Sequence, residues 1–432
     1  MSRLTRGFAP LRHPSFRLLA GGQLASNIGD AFYMVALPWY VLASHGGALL
    51  LGTVLAAYGV PRTVLLIVGG HASDRWRPWV VMMASDTVRV AAAAGLAVAA
   101  ASGPPRAVIL VPIAMVLGAG EGMFLPGSYS IIPELLPDQD LQAGNALSSA
   151  GTQLATLVGP AIGGVMVALI GSAPAFGLDA ASFALSALTL AGIRSARRTA
   201  PVRPVAANPP AGTEPAADTP TVLGLLRSER VLQLSLLVTV AANLGSGGID
   251  GVALPALMHG PLHSGAGGYG AIIAVFGAGA LVGTLVAAHL GRPRRPAILG
   301  STVFLIEALA MAVAPYLGGV FGLGAACVLL GVANGFGNVV MITAWQRWAP
   351  PQLMGRLNGL LMTASYGVSP VSVVFGAFVT HAFGPASFFP IGAACLAGAV
   401  ALGLTQRAWR NYGMLPEPAP ATPAAEPSLA SR

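Results

Sequence analysis

The sequence predicts an all-α integral membrane protein, with twelve transmembrane helices in two pseudo-symmetric six-helix bundles. Three observations predict it. The chain of 432 residues is 55% hydrophobic and only 9% charged, with a mean hydropathy of +0.72, an apolar excess that soluble chains of this length do not carry. Its apolar residues fall into runs long enough to cross a bilayer. The two halves also repeat one another: Asn27-Ile28-Gly29 followed by Val35-Ala36-Leu37-Pro38 returns as Asn243-Leu244-Gly245 followed by Val252-Ala253-Leu254-Pro255. Further echoes keep the same order at a nearly constant offset. Gly52, Tyr58 and Gly59 match Gly270, Phe276 and Gly277. Gly118, Glu121 and Gly122 match Gly331, Asn334 and Gly335, and Pro137, Asn145 and Leu147 match Pro350, Asn358 and Leu360. An ordered series at one period is the signature of a duplicated unit.

Residues 1–15 form a cytoplasmic N-terminal segment in which Phe8 and Leu11 lie among arginines, a pattern suited to the inner membrane surface. The first bundle is expected over 16–193, with segments at 16–43, 48–70, 79–101, 107–130, 142–170 and 173–193. Residues 194–221 are rich in Pro, Ala and Arg with no apolar period, and read as a cytoplasmic linker. The second bundle is expected over 222–410, with segments at 229–257, 267–290, 296–314, 318–344, 355–382 and 386–406. The Pro/Ala-rich stretch 411–432 reads as a disordered cytoplasmic tail.

All 23 basic residues other than histidine are arginine, and most of them occupy alternate turns. Arg12 and Arg17 precede or open segment 1, Arg75 and Arg77 follow segment 2, Arg197 and Arg198 follow segment 6, Arg294 and Arg295 follow segment 8, and Arg407 and Arg410 follow segment 12. The opposite turns hold only Arg106. This is the positive-inside pattern, and it places both termini in the cytoplasm of a bacterial inner-membrane protein. The high isoelectric point therefore reflects topology, and no nucleic-acid partner is expected. Cys327 and Cys395 both lie in apolar segments and read as small buried hydrophobes. The histidines and cysteines form no metal-ligand pattern, and no cofactor is expected. With no phosphate-cradling loop and no nucleophile–base pair, the chain does not read as an enzyme.

Particular motifs carry a family resemblance. Gly70-His71-Ala72-Ser73-Asp74-Arg75 after segment 2 resembles the Gly-x-x-x-Asp-Arg loop of the major facilitator superfamily. The resemblance implies a conformational latch at Gly70, Asp74 and Arg75, with Asp74 accepting from the N-terminus of helix 11. In segment 5, Gly151 followed by Gly159-Pro160-Ala161-Ile162-Gly163-Gly164 resembles the antiporter motif of the superfamily's exporters. Gly151, Ala155, Gly159 and Gly163 recur every four residues, a small-residue stripe on which another helix can pack backbone-close. Leu11-Arg12-His13-Pro14, Ile132-Pro133-Glu134-Leu135 and Asn145-Ala146-Leu147 are similar to the bacterial branch of enterobactin exporters and macrolide efflux proteins.

Ionisable groups in hydrocarbon are functional candidates by default. Seven stand out: Asp30, Arg62, Asp86, Arg89, Glu121, Asp250 and Glu307. Asp30 lies one turn after Asn27 on segment 1 and is the first candidate for binding a proton or a cationic substrate. The alternative is a structural bond to helix 7. Asp86 and Arg89, spaced i,i+3, are expected to pair with each other. Arg62 is expected to bind an acidic substrate or to neutralise Asp30 or Asp86. In this superfamily helices 1, 4, 7 and 10 line the cavity, so the resemblance adds Glu121, Asn243, Asn334 and Asn338 to the candidates. Glu307 has no evident partner. Trp345 and Trp348 read as interfacial anchors.

The resemblance implies a monomeric exporter of amphipathic small molecules, drugs or secondary metabolites, working by alternating access with protons as the coupling ion. A dedicated siderophore exporter is the alternative; a nutrient importer and a membrane scaffold or sensor stand further off.

Overall fold

A computed structural model of the protein describes residues 8–197, 222–289, 293–349 and 353–413. Among them are twelve long helices. In the first half these are α1 (Pro14–Ala43), α2 (Gly47–Trp76), α3 (Pro78–Ser102), α4 (Ala107–Ser130), α5 (Asp138–Ile170) and α6 (Ser172–Arg197). In the second half they are α7 (Arg230–His259), α8 (Ala266–His289), α9 (Pro296–Val313), α10 (Gly319–Trp348), α11 (Met354–Phe383) and α12 (Phe388–Thr405). Eleven of these are long and apolar enough to cross a membrane. The twelfth, α1, has 30 residues, and Arg17, Gln23, Asn27 and Asp30 keep it out of that set. Large apolar side chains such as Val98, Val108, Leu169 and Phe321 point outward while charged ones lie inside, the arrangement a hydrocarbon solvent imposes.

Two of the predicted boundaries move. The stretch after residue 70 is expected as a turn but stays helical to Trp76. It contains no helix breaker until Pro78, where Arg77 turns the chain at a φ of 71°. α5 starts at Asp138, earlier than the apolar pattern, because Asp138 and Asp140 fill its first turn, where carboxylates favour the helix dipole. The expected linker falls almost entirely outside the described residues, as does the tail beyond residue 413.

Within the first half, α1 packs on α5 and α6, α3 on α4 and α6, and α2 on α4. The second half repeats this with α7 on α11 and α12, α9 on α10 and α12, and α8 on α10. The α2–α4 contact is backbone-close because Gly118 and Gly122 lie on the main chain of Tyr58 and Arg62. In α8–α10, Gly331 and Gly335 lie on Phe276 and Ala280 in the same way. The repeated residues of the sequence are thus the contact residues of each half.

The halves meet through α2 against α11 and α5 against α8. The described contacts gather away from the chain termini. A Cβ on Gly164 would stand 2.8 Å from the Ala266 carbonyl oxygen, and Gly251 lies on Leu55 and Val373. Trp39 meets His259 edge-to-face at 5.1 Å. Toward the termini, Thr152, Leu154, Asn338 and Met362 are exposed. The halves therefore touch at the end away from the termini and part toward the termini, which is where the cavity implied by the family resemblance opens.

α7 is not uniform. Its α-helical run Arg230–Gly248 passes through a π-helical turn at Ile249–Ala253 and resumes at Leu254–His259. Ser372 of α11 braces the entry to that turn. Its hydroxyl accepts from the Gly248 N–H at 2.7 Å and donates to the Leu244 carbonyl at 2.6 Å. Because Ser372 is buried, Ser372→Ala should destabilise the protein by about 1–3 kcal/mol. Detergent-resistance titration of the variant against Ser372→Thr checks this, and equal midpoints for Ala and wild type would refute it.

Candidate substrate and coupling site

The polar groups of the first half form two connected clusters. In the first, the Arg89 guanidinium on α3 donates through Nη2 to both carboxylate oxygens of Asp30 on α1, at 2.9 and 3.1 Å. Nη1 donates to Asp86 at 3.3 Å. The cation is stacked on Phe183 at 3.8 Å from the ring centroid, with Phe124 on a second side at 5.3 Å. Side-chain exposures divide the roles: Arg89 is 3% and Asp86 0% exposed, whereas Asp30 is 35% exposed. Asp30 is the least buried member of the cluster, so it can meet a proton or cation without moving the sealed arginine.

In the second cluster, Arg62 on α2 pairs with Glu121 on α4 at 3.0 Å. The Tyr58 hydroxyl donates to the other Glu121 oxygen. Arg62 also lies over the ring of Tyr366, 4.5 Å from its centroid, and Thr63 donates to the Tyr366 carbonyl at 3.1 Å. This cluster therefore spans from one half to the other.

The second half has carboxyls of its own. The Asn338 amide donates to Asn334, and the Asn334 amide donates to Glu307, both at 3.0 Å. Asp250 lies exposed within the π-helical turn. No ion pair to Glu307 or Asp250 occurs among the described residues, so the second half presents acid without an internal arginine. Asn243 donates to the Thr239 carbonyl at 2.8 Å and lies 3.5 Å from the Ser365 hydroxyl. Its repeat-mate Asn27 donates to Thr152 of α5 at 3.2 Å.

The glycine motif of α5 has two faces. Gly159 and Gly163 lie against Ala31 and Phe32 of α1, while Gly164 and the Pro160 carbonyl lie against Gly270 of α8. Gly151 sits nearest to Leu24. The motif thus joins a helix of its own half to a helix of the other.

The profile described as Major Facilitator Superfamily matches residues 19–369 of this twelve-helix chain. The chain belongs to the Major Facilitator Superfamily. Among curated relatives of this superfamily member, the multidrug efflux pump Tap of Mycobacterium tuberculosis is 29% identical over 384 residues, covering 86% of this chain and 88% of that one. The enterobactin exporter EntS of Citrobacter koseri is 26% identical over 364 residues, covering 81% of each. Among solved structures, a bacterial homologue of the iron transporter ferroportin in an inward-facing state aligns with a TM-score of 0.67 at 15% identity, covering 96% of this chain and 100% of that one. A POT peptide transporter in complex with sulfate aligns with a TM-score of 0.69 at 15% identity, covering 92% and 96%. At these identities the structures speak for the shared fold.

Against this major facilitator frame, several sequence expectations need correction. Arg62 neutralises neither Asp30 nor Asp86; it pairs with Glu121. The partner of Asp30 is Arg89 on α3 and not a group on α7. Glu307, which had no evident partner, accepts from Asn334. Trp345 is buried, with Trp348 at 5.2 Å and Tyr412 beyond it, so it belongs to a packed aromatic cluster and is not an interfacial anchor. The seven intramembrane ionisable residues are too few, because Asp179 on α6 is a further one and is 1% exposed. The signal was present: an aspartate between Leu178 and Ala180 in the middle of an apolar segment. Of the expected latch, Gly70 has open space around it and Arg75 is exposed. The Asp74 side chain and the side chains opening α11 lie outside the described residues. No cluster of metal-ligating side chains occurs among the described residues.

Proposed function

We propose that this protein exports amphipathic small molecules, drugs or secondary metabolites, across the bacterial inner membrane by alternating access in exchange for protons. The observation that carries the reading is Asp30, which is partly exposed while its arginine partner is sealed in the bundle. Protonation of Asp30, or a substrate cation beside it, weakens the Arg89 bridge and so changes how α1 is tied to α3. Coupling of this kind requires that the two ligands act on one two-state element. Residues 16–193 and 222–410 are the rocking units, with 194–221 joining them and 1–15 and 411–432 flanking them.

The clusters of arginine at the end that carries the termini support a cytoplasmic location for both termini. In that orientation the cavity opens to the cytoplasm, where an exporter loads. Similarity to Tap supports a drug-like substrate range, and monomeric function is consistent with a cavity built within one chain. Similarity to EntS favours a second reading, a dedicated siderophore exporter. An acidic ligand would need a free arginine, but Arg62 and Arg89 are both engaged by carboxylates, which favours neutral or cationic amphiphiles.

The test is efflux of a panel of amphipathic dyes and antibiotics from energised cells lacking their own pumps. Wild type should expel several unrelated compounds, and Asp30→Asn should abolish the gradient-dependent part at equal membrane levels. Export of a single chelator and nothing else would move the assignment to a siderophore. Unchanged efflux in Asp30→Asn would remove Asp30 from coupling.

A further inference from the structure

The interior of the first bundle holds more carboxyls than its arginines can neutralise. Four carboxyls, Asp30, Asp86, Glu121 and Asp179, lie with two guanidiniums, Arg62 and Arg89. Arg62 is taken by Glu121, and Arg89 is taken by Asp30 and Asp86. Asp179 is left over. Its Oδ1 is buried without a hydrogen-bond partner. That oxygen lies against the backbone of Gly29, the residue before Asp30, where an added Cβ would stand 2.7 Å away.

The groups facing this position come from every neighbouring helix. α1 contributes Asp30 and Tyr33, whose hydroxyl is also buried without a partner. α3 contributes Asp86 and Arg89, and Ser186 of α6 itself stands beside Asp86. α4 packs on α2 and α3, and its Glu121 is already held by Arg62 and Tyr58. α5 carries no ionisable residue between Asp140 and Ile170. Asp30 and Arg89 are the charges that act on Asp179. An ionised carboxylate sealed in this way has a desolvation cost that Arg89, already engaged by Asp30 and Asp86, offsets only in part, and a proton removes it.

We propose that Asp179 is a proton-binding site and the alternative partner of Arg89. While Arg89 bridges Asp30, Asp179 holds the proton. When the bridge opens, the proton passes from the Asp179 carboxyl to the Asp30 carboxylate, and the Arg89 guanidinium passes from Asp30 to Asp179. One proton and one cation exchange partners, the charge of the bundle is unchanged, and the proton arrives at the less buried carboxyl. This deepens the proton-exchange reading above and rests on it for the use made of the exchange.

Infrared spectra of the purified full-length protein in lipid, with aspartates labelled by carbon-13, test it. Wild type should show a protonated aspartic acid carbonyl band that shifts in heavy water. The band should be lost in Asp179→Asn. It should also be lost in Asp30→Asn, because the freed Arg89 then ionises Asp179. A buried acid with a merely structural role would keep its band in Asp30→Asn, and that result overturns the exchange. Absence of the band in wild type, or its persistence in Asp179→Asn, overturns the site. If Asp179→Asn does not accumulate, Asp179→Glu replaces it, since the unlabelled glutamate removes the labelled band while keeping the carboxyl. The spectra require no transport. Loss of the efflux reading with these bands as stated would leave the site standing, and efflux without the band would remove the site alone.

Discussion

Arg89→Gln should be the most damaging single substitution in the first bundle. The guanidinium is 3% exposed and is the counter-charge for Asp86, which is 0% exposed, and for Asp30. Removing one partner of a buried ion pair leaves an uncompensated charge, and the loss is about 3–5 kcal/mol. Its contacts over Phe183 and Phe124 go as well. The loss should appear as an earlier midpoint in detergent-denaturant titration, and active efflux should disappear with it. The double variant Arg89→Gln/Asp86→Asn should regain part of the stability, since it removes the stranded charge, but none of the transport. A single variant with a wild-type midpoint would show that the carboxyls do not depend on this arginine. A double variant no more stable than the single one would show that the damage comes from lost packing alone.

Gly164→Leu should lock the transporter without unfolding it. Gly164 of α5 faces Gly270 of α8, and an added Cβ would stand 2.9 Å from the Gly270 Cα and 2.8 Å from the Ala266 carbonyl oxygen. A leucine has no room while the two halves touch there. Forcing a larger side chain into such a contact costs about 1–3 kcal/mol, and the chain can avoid that cost by keeping this end of the cavity apart. A bias of about 1.4 kcal/mol moves a two-state population tenfold. The expected result is normal membrane levels, lost efflux, and a rise of about tenfold in the reactivity of a cysteine at His259 toward a membrane-impermeant thiol reagent. The background for that measurement lacks Cys327 and Cys395. His259 is a good reporter because it meets Trp39 of the other half across this contact. Unchanged reactivity with lost efflux would mean that the glycine serves another step.

The two variants probe different layers of the protein, and the layers differ in how well the sequence exposed them. The repeat Gly118…Gly122 against Gly331…Gly335 was plain in the chain, and in the fold these residues make the equivalent α2–α4 and α8–α10 contacts. The small-residue stripe of α5 was equally plain as a helix contact. That Gly159 and Gly163 serve α1 while Gly164 serves α8 was not, because a stripe defines a face and does not say which helix lies on it. The ion pairs were less legible still. The i,i+3 spacing brings Asp86 within reach of Arg89, since that distance is set by a single helix. The partners of Asp30, Arg62 and Glu307 lie on other helices, and the helix rotations that select them leave no local mark.

The chain by itself determined the solvent, the number of crossings and the duplication. Each of these follows from hydrophobic length, from the side on which arginine is retained and from repeated order, and none needs a contact to be known. Only the tertiary structure decided which carboxyl meets which arginine, which one is left over at Asp179, and which end of the cavity is shut. These depend on how the helices are turned against one another. In a low-dielectric interior, small differences in that turning decide whether a charge is paired or alone.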